Sequence, residues 1–112
     1  MNEEYKSFSK KKIFRDIKRD LLFQLERNGT NGRHYKDLVN DYMVMWITKS
    51  MLVHDIKERG VLTKYDNGGG QIGLKKNDSI DQQVRINRQM LQLLNQLGIK
   101  PEPVVDDLED DL

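Results

Sequence analysis

The chain has 112 residues, 33% of them charged and 37% hydrophobic, enough for one small core and not for two. Cysteine is absent, which excludes a disulfide framework, thiol catalysis and Cys-based zinc sites. The longest apolar run, Tyr42 to Ile47, falls far short of the ~20 residues that span a bilayer. Residues 1–100 carry all 19 Lys and Arg against 12 Asp and Glu, whereas residues 101–112 carry six acids and no base, so a net charge of +1 hides a basic body and an acidic end.

The basic character is sharpest at the start. Lys6, Lys10, Lys11, Lys12, Arg15, Lys18 and Arg19 lie in one stretch whose single acid is Asp16, with Tyr5, Phe8 and Phe14 interleaved. Bases neutralise phosphates, and aromatics either stack on nucleotides or anchor the segment. These seven bases are the candidate nucleic-acid contacts, against the alternative of a polarised solvated surface. The first helix is expected over residues 12–28, with Ile13, Ile17 and Leu21 on one stripe, Phe14 and Leu25 beside it, and Gly29 as its stop. Lysines at its start oppose the helix dipole, so local stability does not account for them.

A second, long helix is expected over residues 33–59, ending in Lys57, Arg59 and Gly60; at ~1.5 Å per residue it reaches about 40 Å. The pair of helices fits a helix-turn-helix or a plain αα-hairpin equally well. Apolar residues cover most of the second helix, and a small chain offers few neighbours to bury them. Val44, Met45, Trp46 and Ile47 are therefore expected to meet another copy of the protein.

Residues 61–65 and 71–75 read as a hairpin around Asp66-Asn67-Gly68-Gly69-Gly70. The third helix is expected to open on a capping box of Ser79 and Gln82. It is expected to close in a Schellman motif at Gly98, with Leu94 and Ile99 in contact and Pro101 beyond. It carries two stripes, Ile80, Val84, Leu91, Leu94 and Ile86, Met90, Leu93, Leu97; Met90, Leu93 and Leu97 join the expected oligomerisation set. The organisation is one domain over residues 1–100 and an acidic flexible tail over 101–112. In the tail Val105, Leu108 and Leu112, at i, i+3 and i+7, are candidate partner contacts.

No catalytic constellation emerges. Gly68, Gly70 and Gly73 match G-x-G-x-x-G in letters, but they lie between two strands and not between a strand and a phosphate-holding helix. His34, Asp37 and Asp41, and His54 with Glu58, have metal-compatible spacing without an evident further ligand, so neither metal nor cofactor is expected. No apolar N-terminal segment with a cleavage site suggests secretion, and the lack of cysteine fits a reducing cytoplasm.

Helix, long apolar helix, glycine-rich hairpin and capped final helix form an order that resembles the small terminase subunit of tailed bacteriophages with cohesive genome ends. The resemblance is strongest from Gly60-Val61-Leu62 through the hairpin to Arg88-Gln89-Met90-Leu91-Gln92-Leu93-Leu94-Asn95-Gln96-Leu97-Gly98-Ile99-Lys100-Pro101. It implies a mainly α fold: a helical hairpin with a long central helix, a small β-hairpin and a C-terminal helix, assembling into a ring. It further implies a non-enzymatic protein in the cytoplasm of the infected host, which binds double-stranded viral DNA and presents it to the large terminase subunit, with no membrane partner. A small dimeric transcription regulator, and a helical adaptor without nucleic-acid binding, are the alternative readings.

Overall fold

Glycine and asparagine punctuate the chain. The computed structural model, which describes residues 3–66 and 68–100, follows that punctuation closely. Its order is α1 (Glu3–Ser9), α2 (Lys12–Arg27), α3 (Arg33–Arg59), β1 (Leu62–Asp66), β2 (Ile72–Lys76) and α4 (Asp78–Gln96). The mainly helical class with one small antiparallel hairpin is thus the observed one. α3 has the expected bounds, and each strand begins and ends one residue later than the sequence pattern suggests. Ring assembly is not a property a single chain displays.

Two helices end by the same device. At the end of α2, Gly29 takes φ +79°, its N–H donates to Glu26 O (3.1 Å), and the Thr30 N–H donates to Leu25 O (2.9 Å). At the end of α4, Gly98 takes φ +70°, with Gly98 N–H to Asn95 O (3.1 Å) and Ile99 N–H to Leu94 O (3.0 Å). Both are Schellman closures, in which the left-handed residue turns two amides back onto orphan carbonyls.

The core forms where α2, α3 and α4 meet. Leu21 and Leu25 of α2, Val39 and Met43 of α3, and Leu93 and Leu97, from α4 and its C-cap, are buried together. Ile47 and Met90 are buried as well. α1 has no counterpart in the periodicity reading, which starts helix at Lys12. Seven residues are too few to hold a helix alone, and α1 rests on α3 through Phe8, whose ring meets Trp46 edge-on at 6.5 Å.

The start of α4 departs from expectation. Asn77, not Ser79, is the N-cap, and its side-chain oxygen accepts from the Ser79 N–H at 3.0 Å. Starting two residues early puts Asp78 and Asp81 in the first turn, where the dipole favours them. The Ser79 hydroxyl is released to donate to Asp55 Oδ2 at 2.6 Å. Asn77 is fully buried. It also donates to Gly60 O (3.0 Å), accepts from Arg59 Nη2 (3.0 Å), and gives its backbone N–H to Val61 O (2.7 Å). Arg59 in turn grips Asp55 with Nε and Nη2, both at 2.7 Å. These bonds from Arg59, and then the one from Ser79, hold the Asp55 carboxyl far below the usual carboxylate range, against an opposing desolvation effect. One polar knot therefore ties the end of α3, both roots of the hairpin and the start of α4.

Beyond that knot the hairpin stands clear, its strands contacting chiefly each other. The register pairs Leu62 with Lys76, Lys64 with Leu74 and Asp66 with Ile72, which puts Leu62, Ile72 and Leu74 on one face. That face is 57% to 70% exposed at its three apolar residues. The radius of gyration is 18.5 Å, against about 13 Å for a compact chain of this size.

Candidate nucleic-acid interface

The basic head occupies α1, the turn after it and the first half of α2. Lys6 pairs loosely with Glu3 (3.9 Å). Lys11 lies over the Phe8 ring, 4.4 Å from its centroid. Arg15 folds back so that Nη1 donates to Lys10 O (3.0 Å). Asp16 gathers Lys12 (2.7 Å) and Arg19 (3.1 Å), and its carboxyl is held below the ordinary value of 3.8. The hydrogen bond from Lys12 is the main cause, with the charges of Lys12, Arg19 and Arg15 adding to it against desolvation. Lys10 and Lys18 make no ion pair among the described residues.

Helical geometry sorts these bases. Arg15, Lys18 and Arg19 stand at i, i+3 and i+4, so they share one side of α2. There they line an open groove of about 530 Å³ with Phe14, Leu22, Phe23 and Glu26. The aromatics of the head have split roles. Phe8 and Phe14 both turn their rings to Trp46, at 6.5 and 5.7 Å, and anchor the head to α3. Phe23, which the charge pattern does not single out, is the exposed one at 66%, beside Arg27.

A second basic surface was not legible from the charge run. Lys49, His54 and Lys57 of α3 join Lys11 around a groove of about 340 Å³ floored by Phe8 and Trp46. The signal was the spacing Trp46, Ser50, Val53, Lys57 along one helical face, but only the position of α1 shows that Lys11 completes it. Lys49 also donates to Asn87 Oδ1 of α4 (2.8 Å), and His54 lies 3.8 Å from Glu4 and 3.7 Å from Glu58. Among the described residues no group of three or more His, Asp or Glu is placed to hold a metal ion.

The expected oligomerisation residues divide. Ile47, Met90, Leu93 and Leu97 are 2%, 3%, 9% and 2% exposed within the single chain, so their apolar character is already accounted for by its own core. Trp46 is half-buried against Phe8 and Phe14. Val44 is 48% exposed, and with Met45 it lines a groove of about 570 Å³ between α3 and α4. On α4 the uncovered stripe is the other one, with Val84 and Leu91 about half exposed. The partner candidates Val105, Leu108 and Leu112 lie outside the described residues. No described helix is long and apolar enough to cross a membrane.

Comparison with curated proteins and comparison with solved structures each give no match. A family model described as phage terminase, small subunit, matches residues 11–103. The matched span begins at the turn before α2, takes in the hairpin and the knot at its base, and runs past the Gly98 closure, while α1 stands outside it. With most of its length inside that span, the chain belongs to the phage terminase small-subunit family, whose setting is phage DNA packaging.

Proposed function

We propose that this protein is the DNA-recognising, non-enzymatic component of a genome-packaging motor, working in the cytoplasm of the infected host. It binds double-stranded viral DNA and presents it to the large terminase subunit, which supplies the ATPase and nuclease. The observation that carries this reading is the gathering of Arg15, Lys18 and Arg19 on one open side of α2, continued by Lys10, Lys11 and Lys12 at its start. Four of these bases, Lys10, Lys11, Arg15 and Lys18, have no ion-pair partner among the described residues, so phosphate is the natural counter-charge.

The family resemblance and the uncovered apolar surface together support a closed homo-oligomer larger than a dimer. The contact surface is centred on Val44 and Met45 of α3 with Val84 and Leu91 of α4, because Ile47, Met90, Leu93 and Leu97 are buried within the chain and Trp46 is engaged by Phe8 and Phe14. A closed ring covers such surfaces without leaving a sticky face. Residues 101–112, with Val105, Leu108 and Leu112 among six acids, are the proposed contact with the large subunit.

Gel-shift titration at two salt concentrations tests the DNA reading. Replacing Lys10, Lys11 and Lys12 together with Ala should weaken binding, and should lower the slope of log affinity against log salt by about 0.9 for each phosphate left without its base. Helical content should not change, since all three are exposed. Unchanged affinity and slope would take these three lysines out of the DNA site, and the same result on replacing Arg15, Lys18 and Arg19 would move the site off the head. Native mass spectrometry tests the assembly: Val44→Asp or Leu91→Asp should yield smaller species without unfolding the chain.

A further inference from the structure

The acidic segment starts beside the basic helix. Lys100 is the last described residue, and it is tied to α2: its N–H donates to Gln24 Oε1 (3.1 Å), and Gln24 Nε2 donates to its carbonyl (3.4 Å). Along the axis of α2, Gln24 lies about 8 Å from Arg19 and about 14 Å from Arg15. Twelve further residues reach about 40 Å if extended and about 18 Å if helical, so either form covers the groove. The near edge of the other basic groove, Lys11, lies about 20 Å along α2 from Gln24, beyond the reach of a helical segment and within that of an extended one.

The chemistry of groove and segment is complementary. The groove has an apolar floor of Phe14, Leu22 and Phe23 walled by Arg15, Lys18 and Arg19. Phe23 is two-thirds exposed, with the Arg27 guanidinium 5.9 Å from its ring centroid and much of a large aromatic surface left in water. Residues 101–112 offer six carboxylates interspersed with Val104, Val105, Leu108 and Leu112. We propose that, when DNA is absent, residues 101–112 lie in the α2 groove of their own chain, apolar residues on Phe23 and carboxylates on Arg15, Lys18 and Arg19.

The segment then competes with phosphate, a consequence that rests on the reading of α2 as the DNA face. A short tether gives an effective concentration on the order of 1 mM. Against an intrinsic Kd of about 0.1 mM, this lowers apparent DNA affinity about tenfold. Release of the segment to another partner would free the helix for DNA.

Zero-length carbodiimide cross-linking of the full chain tests the docking directly, because it joins lysine amines only to carboxylates in contact. Mass spectrometry should find Lys18, and to a lesser degree Lys12, joined to acids of residues 106–111 within one chain. Phe23→Asp should abolish these links. No such links, links to Lys49, Lys57 or Lys64 instead, or links between isotopically distinct chains would overturn the proposal. Added duplex DNA should suppress the Lys18 links, and a chain ending at Pro103 should bind duplex about tenfold more tightly. If the links form but duplex neither removes them nor binds the shortened chain better, the docking stands and the DNA reading of α2 fails.

Discussion

The helical core and the hairpin are held by opposite means. In the core Leu25, Val39, Ile47 and Leu97 are at most 2% exposed, and what stabilises the packing is apolar area removed from water. In the hairpin Leu62, Ile72 and Leu74 are more than half exposed, and the fully buried residue at its base is an asparagine. Area-based packing tolerates small shifts, whereas hydrogen bonds through Asn77, Arg59, Asp55 and Ser79 fix a direction. The hairpin is thus aimed without being covered, and its apolar face stays open to another surface.

The largest effect should come from the core. Leu25→Ala or Leu97→Ala should lower global stability by about 2–5 kcal/mol in denaturant titration. Leu74→Ala, on the open face of the hairpin, should stay within about 0.5 kcal/mol. Equal losses from both would erase the distinction.

Next comes the knot. Asn77→Ala removes the N-cap and leaves Gly60 O and Arg59 short of a partner, a loss of about 1–3 kcal/mol. The loss should be local. Hydrogen exchange should quicken across residues 62–76, while amides at Leu21 and Leu25 keep their protection. Uniform quickening would mean that the hairpin and the core unfold as one unit.

Acid should act on the same place. The folded-state carboxyl of Asp55 titrates below its ordinary value of 3.8, so its contribution is complete above that value and is lost as pH falls below it. Exchange across the hairpin should therefore rise on acidification before exchange in the core does, and Asp55→Asn should remove that pH dependence. The smallest effect is expected at Gly73. A Cβ there would sit 2.8 Å from the Tyr65 ring, but that ring is 39% exposed and can swing aside. Gly73→Ala should change stability by less than about 1 kcal/mol, read in NMR as loss of the ring-current shift at position 73.

Elements bounded by a local signal were legible. Gly29, Gly60 and Gly98 each end a helix where the chain needs positive φ, and the C-terminal bound of α3 follows from that alone. Ser79 misled because the cap signal is shared by neighbours: Asn77 is also a capping residue, and Asp55, twenty-four positions away, claims the serine hydroxyl. Periodicity showed that Met90, Leu93 and Leu97 must be covered, but not by what, since a stripe carries no address for its partner. The same limit hid the Lys11, Lys49 and Lys57 surface, which exists only because α1 crosses α3. The bases of α2 were legible because helical spacing alone groups them.

The position of Trp46 gives the molecule an optical reporter. It is the single tryptophan of the chain, it meets Phe8 and Phe14 edge-on, and it floors the groove edged by Lys11, Lys49 and Lys57. Its emission should therefore move to longer wavelength when α1 lifts away, ahead of the signal of global unfolding. The surrounding lysines concentrate anions, so iodide should quench it more than caesium does. Any polyanion that settles on that groove should narrow the gap between the two quenchers, at micromolar protein and without a label.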